Sequence, residues 1–490
     1  MSTHTKGQVL TQVLVFSSIA VLLLTALIGW AATTIRVARE SFYREQAIQI
    51  AEAGVDYYRW HLAHAPQDFK DGTATSGPYV HDFYDKDGIK LGTYSLDIVA
   101  PIVGSTLVTI RSTGVTDAYP HLKRKIETKL AIPSLAKYAV AGNSELRFGQ
   151  GTEVFGPIHS NGGVRFDGLA HNIVTSAVAS YDDPDHSGGV EFGVHTHVGP
   201  NNTNDNSFRP QEAPPPPAPN RSDVFLAGRQ FPVPALDFAG LTANLAQIKS
   251  DAQSAGRYFG SSGALGYRVL LKTDDTFDLF RVNSLTAPPN RCTDVQSQSG
   301  WGTWSINSAN GSETLIGNYA IPANGLLFIE DSVWVEGQIN TARVTIASGK
   351  FPDNPTTRTS ITVNNNLLYT NYDGQDVVAL IAQNNFNVGM ISADVLRIDA
   401  ALIAQNGRAG RYYYQDAGNS QNRCAPYDTR STLTLYGTII TNQRYGFAYS
   451  DGTGYQIRNI LYDANLLYAP PPSFPLTSDQ YSTISWQEIK

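Results

Sequence analysis

Residues 8–64 read QVLTQVLVFSSIAVLLLTALIGWAATTI and, without interruption, RVARESFYREQAIQIAEAGVDYYRWHLAH. The first part, Gln8–Ile35, holds no charged side chain. Within it Val9–Ala32 supplies the roughly 20 apolar positions that a helix needs to cross about 30 Å of hydrocarbon, despite Gln12, Ser17, Ser18 and Thr25. A secretory signal normally has a shorter apolar region followed by small residues and a turn. Here helix formers continue through Ile35–Glu45 with no proline, so the segment reads as retained. Beyond it Tyr43, Ala47, Ile50, Ala51, Gly54, Tyr58 and Leu62 recur at steps of three and four, making one apolar stripe. Arg39, Glu40, Arg44, Glu45, Glu52 and Asp56 lie largely off that stripe, and Pro66 ends the pattern. At 1.5 Å per residue the helix is on the order of 85 Å long. An anchor followed by a stalk is the plain reading.

The start and end of this helix carry a resemblance. Met1–Gly7 contains Lys6 and ends in Gly7, immediately before Gln8-Val9-Leu10-Thr11-Gln12. This resembles the short basic leader and first mature residues of a type IV prepilin, and Ala47–Tyr58 resembles the end of the N-terminal helix in PilX-like minor pilins and related pseudopilins. The resemblance implies cleavage between Gly7 and Gln8, residence in the inner membrane before assembly, and docking on other pilin or pseudopilin subunits. Two positions depart from the family: Gln8 stands where Phe or Met is usual, and Gln12 where major pilins carry Glu. A carboxylate in an apolar medium needs a partner, so Gln12 removes one charge pairing from helix docking. That implies an uncommon, tip-located subunit rather than a filament builder. Lys6 is outnumbered by Arg36, Arg39 and Arg44, so charge does not set the orientation, which rests on the resemblance.

With 490 residues the chain has room for two or three domains. Only 16% of residues are charged, while Gly numbers 42 and Tyr 25, a balance that favours β structure with many turns. A net charge of −7 gives no general attraction to nucleic acid or anionic lipid. The two cysteines, Cys292 and Cys424, each follow an Asn-Arg pair. They read either as unrelated buried thiols or, if the soluble part lies outside the cytoplasm, as a disulfide. Neither has a C-x-x-C neighbour, which argues against cysteine-bound zinc and thioredoxin chemistry.

After the helix, His81–Ile98 reads as two strands around the Lys86-Asp87-Gly88 turn. A calcium loop would want an acidic residue at Phe83 and Glu at Tyr94. Thr106–Ser112 and Lys125–Ile132 add two alternating segments, so a small helix-on-antiparallel-sheet unit of pilin type is expected up to Pro133. The expected divisions are a leader at 1–7, a helix at 8–64 with its membrane half at 8–35, a sheet unit at 65–133 and a head at 134–490.

In the head, short apolar segments such as Val164–Phe166, Leu326–Ile329, Val333–Val335, Val344–Ile346, Ile361–Val363, Val377–Ile381, Phe386–Val388, Leu396–Ile398 and Leu402–Ala404 are separated by polar corners. Recurring roughly every 8 to 17 residues, they suit a parallel β-helix whose coils stack inward side chains. Asn364–Asn366 and Asn384-Asn385 sit at such corners, where Asn forms ladders and tolerates left-handed backbone. No strict repeat is present, and a β-sandwich is the alternative. The fold class is therefore α+β at the N-terminus followed by a mainly-β solenoid.

An insertion is expected at about 181–262. It holds Asp182-Asp183-Pro184-Asp185-His186, the polar run Asn201–Asn206, Pro214–Pro217, and a helix over Asp237–Phe259 with Leu241, Leu245, Ile248 and Ala252 on one face. Leu433–Ile440 reads as the last coil, and Pro470–Pro472 leads an extended tail over the surface.

No catalytic constellation emerges. Asp182-Asp183 and Asp274-Asp275 are adjacent, and adjacent strand residues face opposite ways. The Asn-Thr-Asp motif of polygalacturonases would correspond to Asn340-Thr341-Ala342, which lacks the acid. No nucleophile elbow or phosphate loop stands in workable context. His195-Thr196-His197 puts two imidazoles on one strand face, with Asp182, Asp183, Asp185 and His186 in the same insertion, but a third ligand at fixed spacing is missing. The segment reads as a solvated polar loop, and neither metal nor cofactor is expected.

The expected function is non-enzymatic: a minor pilin-like subunit displaying its head for adhesion or an unidentified surface ligand. One alternative is a DNA-binding tip protein, contacting nucleic acid through Arg397, Arg408, Arg411, Tyr412, Tyr413 and Arg444, with Arg423, Arg430, Arg458 and Tyr414 nearby. The same arginines also read as solvated corners paired with Asp394, Asp399, Asp416 and Asp428. The other alternative is a single-pass anchored, exported β-helix acting on glycans.

Overall fold

The computed structural model describes residues 5–199, 206–215, 217–238, 240–416 and 423–490, without the side chains of 5–7 and 240–244. Most of the leader at 1–7, Asn201–Asp205 of the polar run and Pro216 thus lie outside the described residues. Helix α1 runs Thr5–His64 as one element. The hydroxyls of Ser17, Ser18, Thr25, Thr33 and Thr34 donate to carbonyls one turn back, at 2.6–3.0 Å. These five hydroxyls are thereby satisfied within the helix, as a bilayer demands. Its large side chains, from Val9 through Trp30 and Ile35, are exposed, and the helix is long and apolar enough to cross a membrane.

The chain divides into two compact units. The first comprises Met1–Pro101, Leu107–Ala131 and Gln480–Lys490. Its antiparallel sheet has the order β1 (Tyr79–Tyr84), β2 (Lys90–Val99), β3 (Val108–Thr116), β4 (Lys123–Ala131), then Ser482–Ile489. The β1–β2 turn forms where expected, with Asp85 accepting the amides of Asp87 and Ile89 at 2.9 and 2.8 Å and Gly88 at φ 79°. Every second residue of β3 is buried. On α1, Ala47, Ile50, Ala51, Val55, Tyr58 and Leu62 are buried, following the stripe read from the sequence. Ile50, Tyr58 and Leu62 join Tyr79, Tyr94, Leu96, Val108, Ile110 and Leu130 in one core.

The expectation that 134–490 is all head is corrected at its end. Ser482–Ile489 pairs antiparallel with β4, Trp486 opposite Thr128 and Glu488 opposite Ile126. The open edge of β4 needs a partner, and an ion pair between Arg124 and Glu488 fixes the register.

The second unit, Ile102–Thr106 and Ile132–Asp479, is mostly β with predominantly parallel pairing. One ladder aligns Leu327, Ile346, Leu380, Leu402, Ile439, Val140, Ile158 and Val174, all buried. A second aligns Val333, Ile361, Phe386 and Ala409. A third aligns Leu367, Ile398, Leu435, Ile460, Val154 and Ala170. Side chains of all three belong to one continuous core. Asn161, Asn143 and Asn442 form a side-chain ladder, Asn161 donating to Asn143 and Asn143 to Asn442, each at 2.8 Å.

Three antiparallel strands, Gly266–Leu271, Thr276–Val282 and Glu313–Ala320, stand where the sequence reading placed none. Asp274-Asp275 forms the turn of the first hairpin, with Asp275 at φ 60°. In the insertion the helix is Gly240–Ala255, shorter than expected. Leu245, Ile248 and Ala252 pack with Leu326, Phe328, Ala347 and Ile381. The side chain of Leu241 lies outside the described residues.

Candidate functional site

Strand Val194–His195 runs parallel to Val164–Phe166 and brings His195 into register with Arg165. Ahead of it, Glu191–Phe192 pairs antiparallel with Ser180–Tyr181. The intervening loop returns Asp183 and His186 to the same place. Period-two alternation puts Glu191, His195 and His197 on one face, and the fold turns that face inward.

The side chains of His186, Glu191, His195 and His197 have no exposed surface, and that of Asp183 has 3%. Glu191 is the hub. Its Oε2 is 2.8 Å from His186 Nε2 and 3.0 Å from His195 Nε2, and its Oε1 is 3.1 Å from His197 Nε2. Asp183 Oδ2 lies 3.6 Å from His195 Nε2 and 3.9 Å from His186 Nε2. One donor atom from each of Asp183, His186, Glu191 and His197 can be chosen so that all lie within 4.8 Å of one another.

Around this group, Arg165 donates to Asp167 at 2.7 Å and to Asp183 at 3.3 Å. Asp167 accepts the His197 amide at 2.7 Å, Glu191 accepts the Arg209 amide at 3.2 Å, and Asp183 accepts the Asp185 amide at 3.0 Å. Burial alone would raise the Asp183 and Glu191 carboxyls. The facing imidazoles of His195 and His197, and for Asp183 the Asp185 amide and the Arg165 charge, outweigh it and hold both well below the usual range. For His195 burial pushes down, and the two carboxylates push the net direction up.

The sequence reading of this segment as a solvated polar loop is therefore corrected: the imidazoles and carboxylates are buried and converge. Glu191 is the residue it missed. The available signal was the alternation of Glu191, His195 and His197, which marks one face without saying that it points inward.

Other expected residues fall as follows. Gln8 and Gln12 are exposed on the apolar half of α1, and Gly7 lies within the helix. Cys292 and Cys424 are disulfide-bonded across 132 residues and sit with Met390, Tyr412 and Tyr414 in a buried cluster. The candidate nucleic-acid contacts do not form an open basic stripe. Arg411 and Tyr412 are buried. The Arg411 guanidinium donates to the carbonyls of Gly389, Met390 and Tyr427, and burial lowers its pKa to about 10. Tyr412 donates to Ser299 at 3.2 Å, and Arg408 lies 4.6 Å over its ring. The half-buried remainder is also engaged: Arg397 with Asp399 at 2.8 Å, Tyr413 with Asp451 at 2.7 Å, Arg444 with Asp185. Arg411 and Tyr412 are thus corrected from surface contacts to interior supports, because the loop after Phe386–Val388 offers buried carbonyls that need donors.

No protein-family model matches the chain. No curated protein matches it. A similar solved structure is the competence-associated pilin ComZ from Thermus thermophilus, at 13% identity and a TM-score of 0.30, covering 91% of this chain and 97% of that one.

Proposed function

We propose that this protein is a non-enzymatic, minor pilin-like subunit. It sits in the inner membrane as a single-pass protein through Gln8–Ile35, then enters a type IV pilus or pseudopilus with other pilin or pseudopilin subunits through α1. It carries at the cell surface a β-solenoid head for adhesion or partner binding. One observation carries the reading: a single unbroken helix has a bare apolar first half whose hydroxyls are internally satisfied, and a second half that buries its stripe on an antiparallel sheet. A bare apolar helix of that length has lipid or other such helices as its stable surroundings. The three parallel ladders around one core support the solenoid reading of the head, and Ala47–Tyr58 supports the PilX-like resemblance.

The test is mass spectrometry of the native N-terminus together with sheared surface filaments. A chain beginning at Gln8, N-methylated and present in the filament fraction, is expected. An intact Met1 on a chain confined to the membrane fraction would sink the proposal.

A further inference from the structure

We infer that Asp183, His186, Glu191 and His197 form a structural zinc site, with His195 Nε2 as a fifth donor facing the same two carboxylates. The site does not depend on the pilus reading, since it lies wholly within the second unit.

The spacing of the donors is the first argument. Ligand atoms around a tetrahedral zinc, at bonds of about 2.0–2.1 Å, stand roughly 3.3 Å apart. Glu191 Oε2 to His186 Nε2 is 2.8 Å, Glu191 Oε1 to His197 Nε2 is 3.1 Å, and Asp183 Oδ2 to His186 Nε2 is 3.9 Å. These separations bracket the required value.

The tautomer of His195 is the second and independent argument. Its Nδ1 lies 3.3 Å from the carbonyl of Phe192, an atom that only accepts, so Nδ1 carries the proton in the neutral ring. Nε2 faces Glu191 Oε2 at 3.0 Å and Asp183 Oδ2 at 3.6 Å. It has no acceptable hydrogen bond although the side chain is fully buried. Two carboxylates facing one buried imidazole nitrogen call for positive charge between them, which a divalent ion shared by the donors supplies. Ring orientation by a backbone carbonyl, with Nε2 left for the metal, is the usual supporting arrangement for a ligating histidine.

The donor set selects the ion. Imidazole nitrogen with carboxylate oxygen and no sulfur suits zinc better than soft copper(I), and the imidazoles argue against magnesium or calcium. The amides of Asp185 and Arg209 and the guanidinium of Arg165 orient the carboxylates from behind. Every ligand side chain is buried, so no position is left open to substrate, which makes the site structural. All four main ligands fall within Asp183–His197, so the ion closes this segment on itself.

The full chain, purified in detergent, is the material for the test. Elemental analysis is expected to find about one zinc per chain, retained through gel filtration, with at least a tenfold loss in His186→Gln and in His197→Gln and none in His171→Gln. Wild-type protein stripped with a chelator covers the case in which the variants misfold: added Co2+ is expected to give a visible d–d spectrum saturating near one equivalent, abolished by Zn2+. Variants that keep stoichiometric zinc would overturn the inference. So would wild-type chain that neither carries zinc nor takes up cobalt or zinc after stripping.

Discussion

Gly114 of β3 lies against Ala47 of α1 so closely that a Cβ at 114 would stand 2.1 Å from the Ala47 carbonyl oxygen and 2.5 Å from the Ala51 amide. Helix backbone therefore meets strand backbone here with no side chain between them. Neither atom belongs to a flexible group, so Gly114→Ala must shift the helix or the strand. We expect a loss of about 1–3 kcal/mol in the first unit, read as a lower melting temperature by circular dichroism. Gly29 has nothing within 4 Å of the corresponding position. Gly29→Ala is expected to be neutral or to stabilise the helix by up to about 1 kcal/mol.

Arg411 separates an interior role from a surface one. Its guanidinium serves three carbonyls and the Ser392 hydroxyl, the last at 3.2 Å, and lies 4.6 Å over the Tyr414 ring. Arg411→Gln leaves several of these acceptors without a donor in a dry interior, at a cost of about 2–4 kcal/mol. The expected result is a lower melting temperature of the second unit. A variant with unchanged stability but weakened nucleic-acid retention at low salt would instead make Arg411 a surface contact.

The Cys292–Cys424 bond closes 132 residues and is buried beside Tyr412 and Tyr414. On the chain-entropy account, removing so long a cross-link costs roughly 3–5 kcal/mol. The double variant Cys292→Ser with Cys424→Ser should unfold at lower denaturant, and reductant should weaken wild type while leaving the variant unchanged. Equal midpoints for the two oxidised proteins would show that the bond adds nothing.

What the sequence revealed, and what it withheld, divides by the range of the contacts involved. Helix α1 and the β1–β2 hairpin depend on periodicity and on a turn a few residues long, and both were legible. Ser482–Ile489 finds its partner in β4, some 360 residues earlier in the chain, and nothing in a Pro-rich approach reveals that. Asn ladders are expected at Asn364–Asn366 and Asn384-Asn385, whereas the one formed by Asn442, Asn143 and Asn161 arises because Ile439 stacks beside Val140. Arg397 and Arg411 look alike in sequence. They differ in what surrounds them: Arg397 pairs with Asp399 two residues along its own strand, whereas Arg411 meets buried carbonyls of the loop after Phe386–Val388. The His–Glu face was visible as an alternation. Its inward direction follows from the pairing of His195 with Arg165, and that register is tertiary information.

His159 offers a pH test in the second unit. Burial lowers its pKa, the bond with Asn161 at 3.1 Å opposes the shift, and the Lys137 charge adds to it. The folded state thus prefers the neutral ring, while the unfolded chain takes a proton near the ordinary value of about 6.5. Below that pH the unfolded state binds more protons than the folded one, so stability falls as the solution is acidified. The contribution is present above the ordinary histidine value and is lost as pH drops through the lowered folded one. His159→Gln removes the titration while keeping a group able to bond Thr175 and Asn161. Melting temperatures taken from pH 7.5 downward should therefore fall less steeply in the variant than in wild type, the gap between the two curves changing below the ordinary histidine value. Parallel curves throughout would mean that His159 titrates alike in both states.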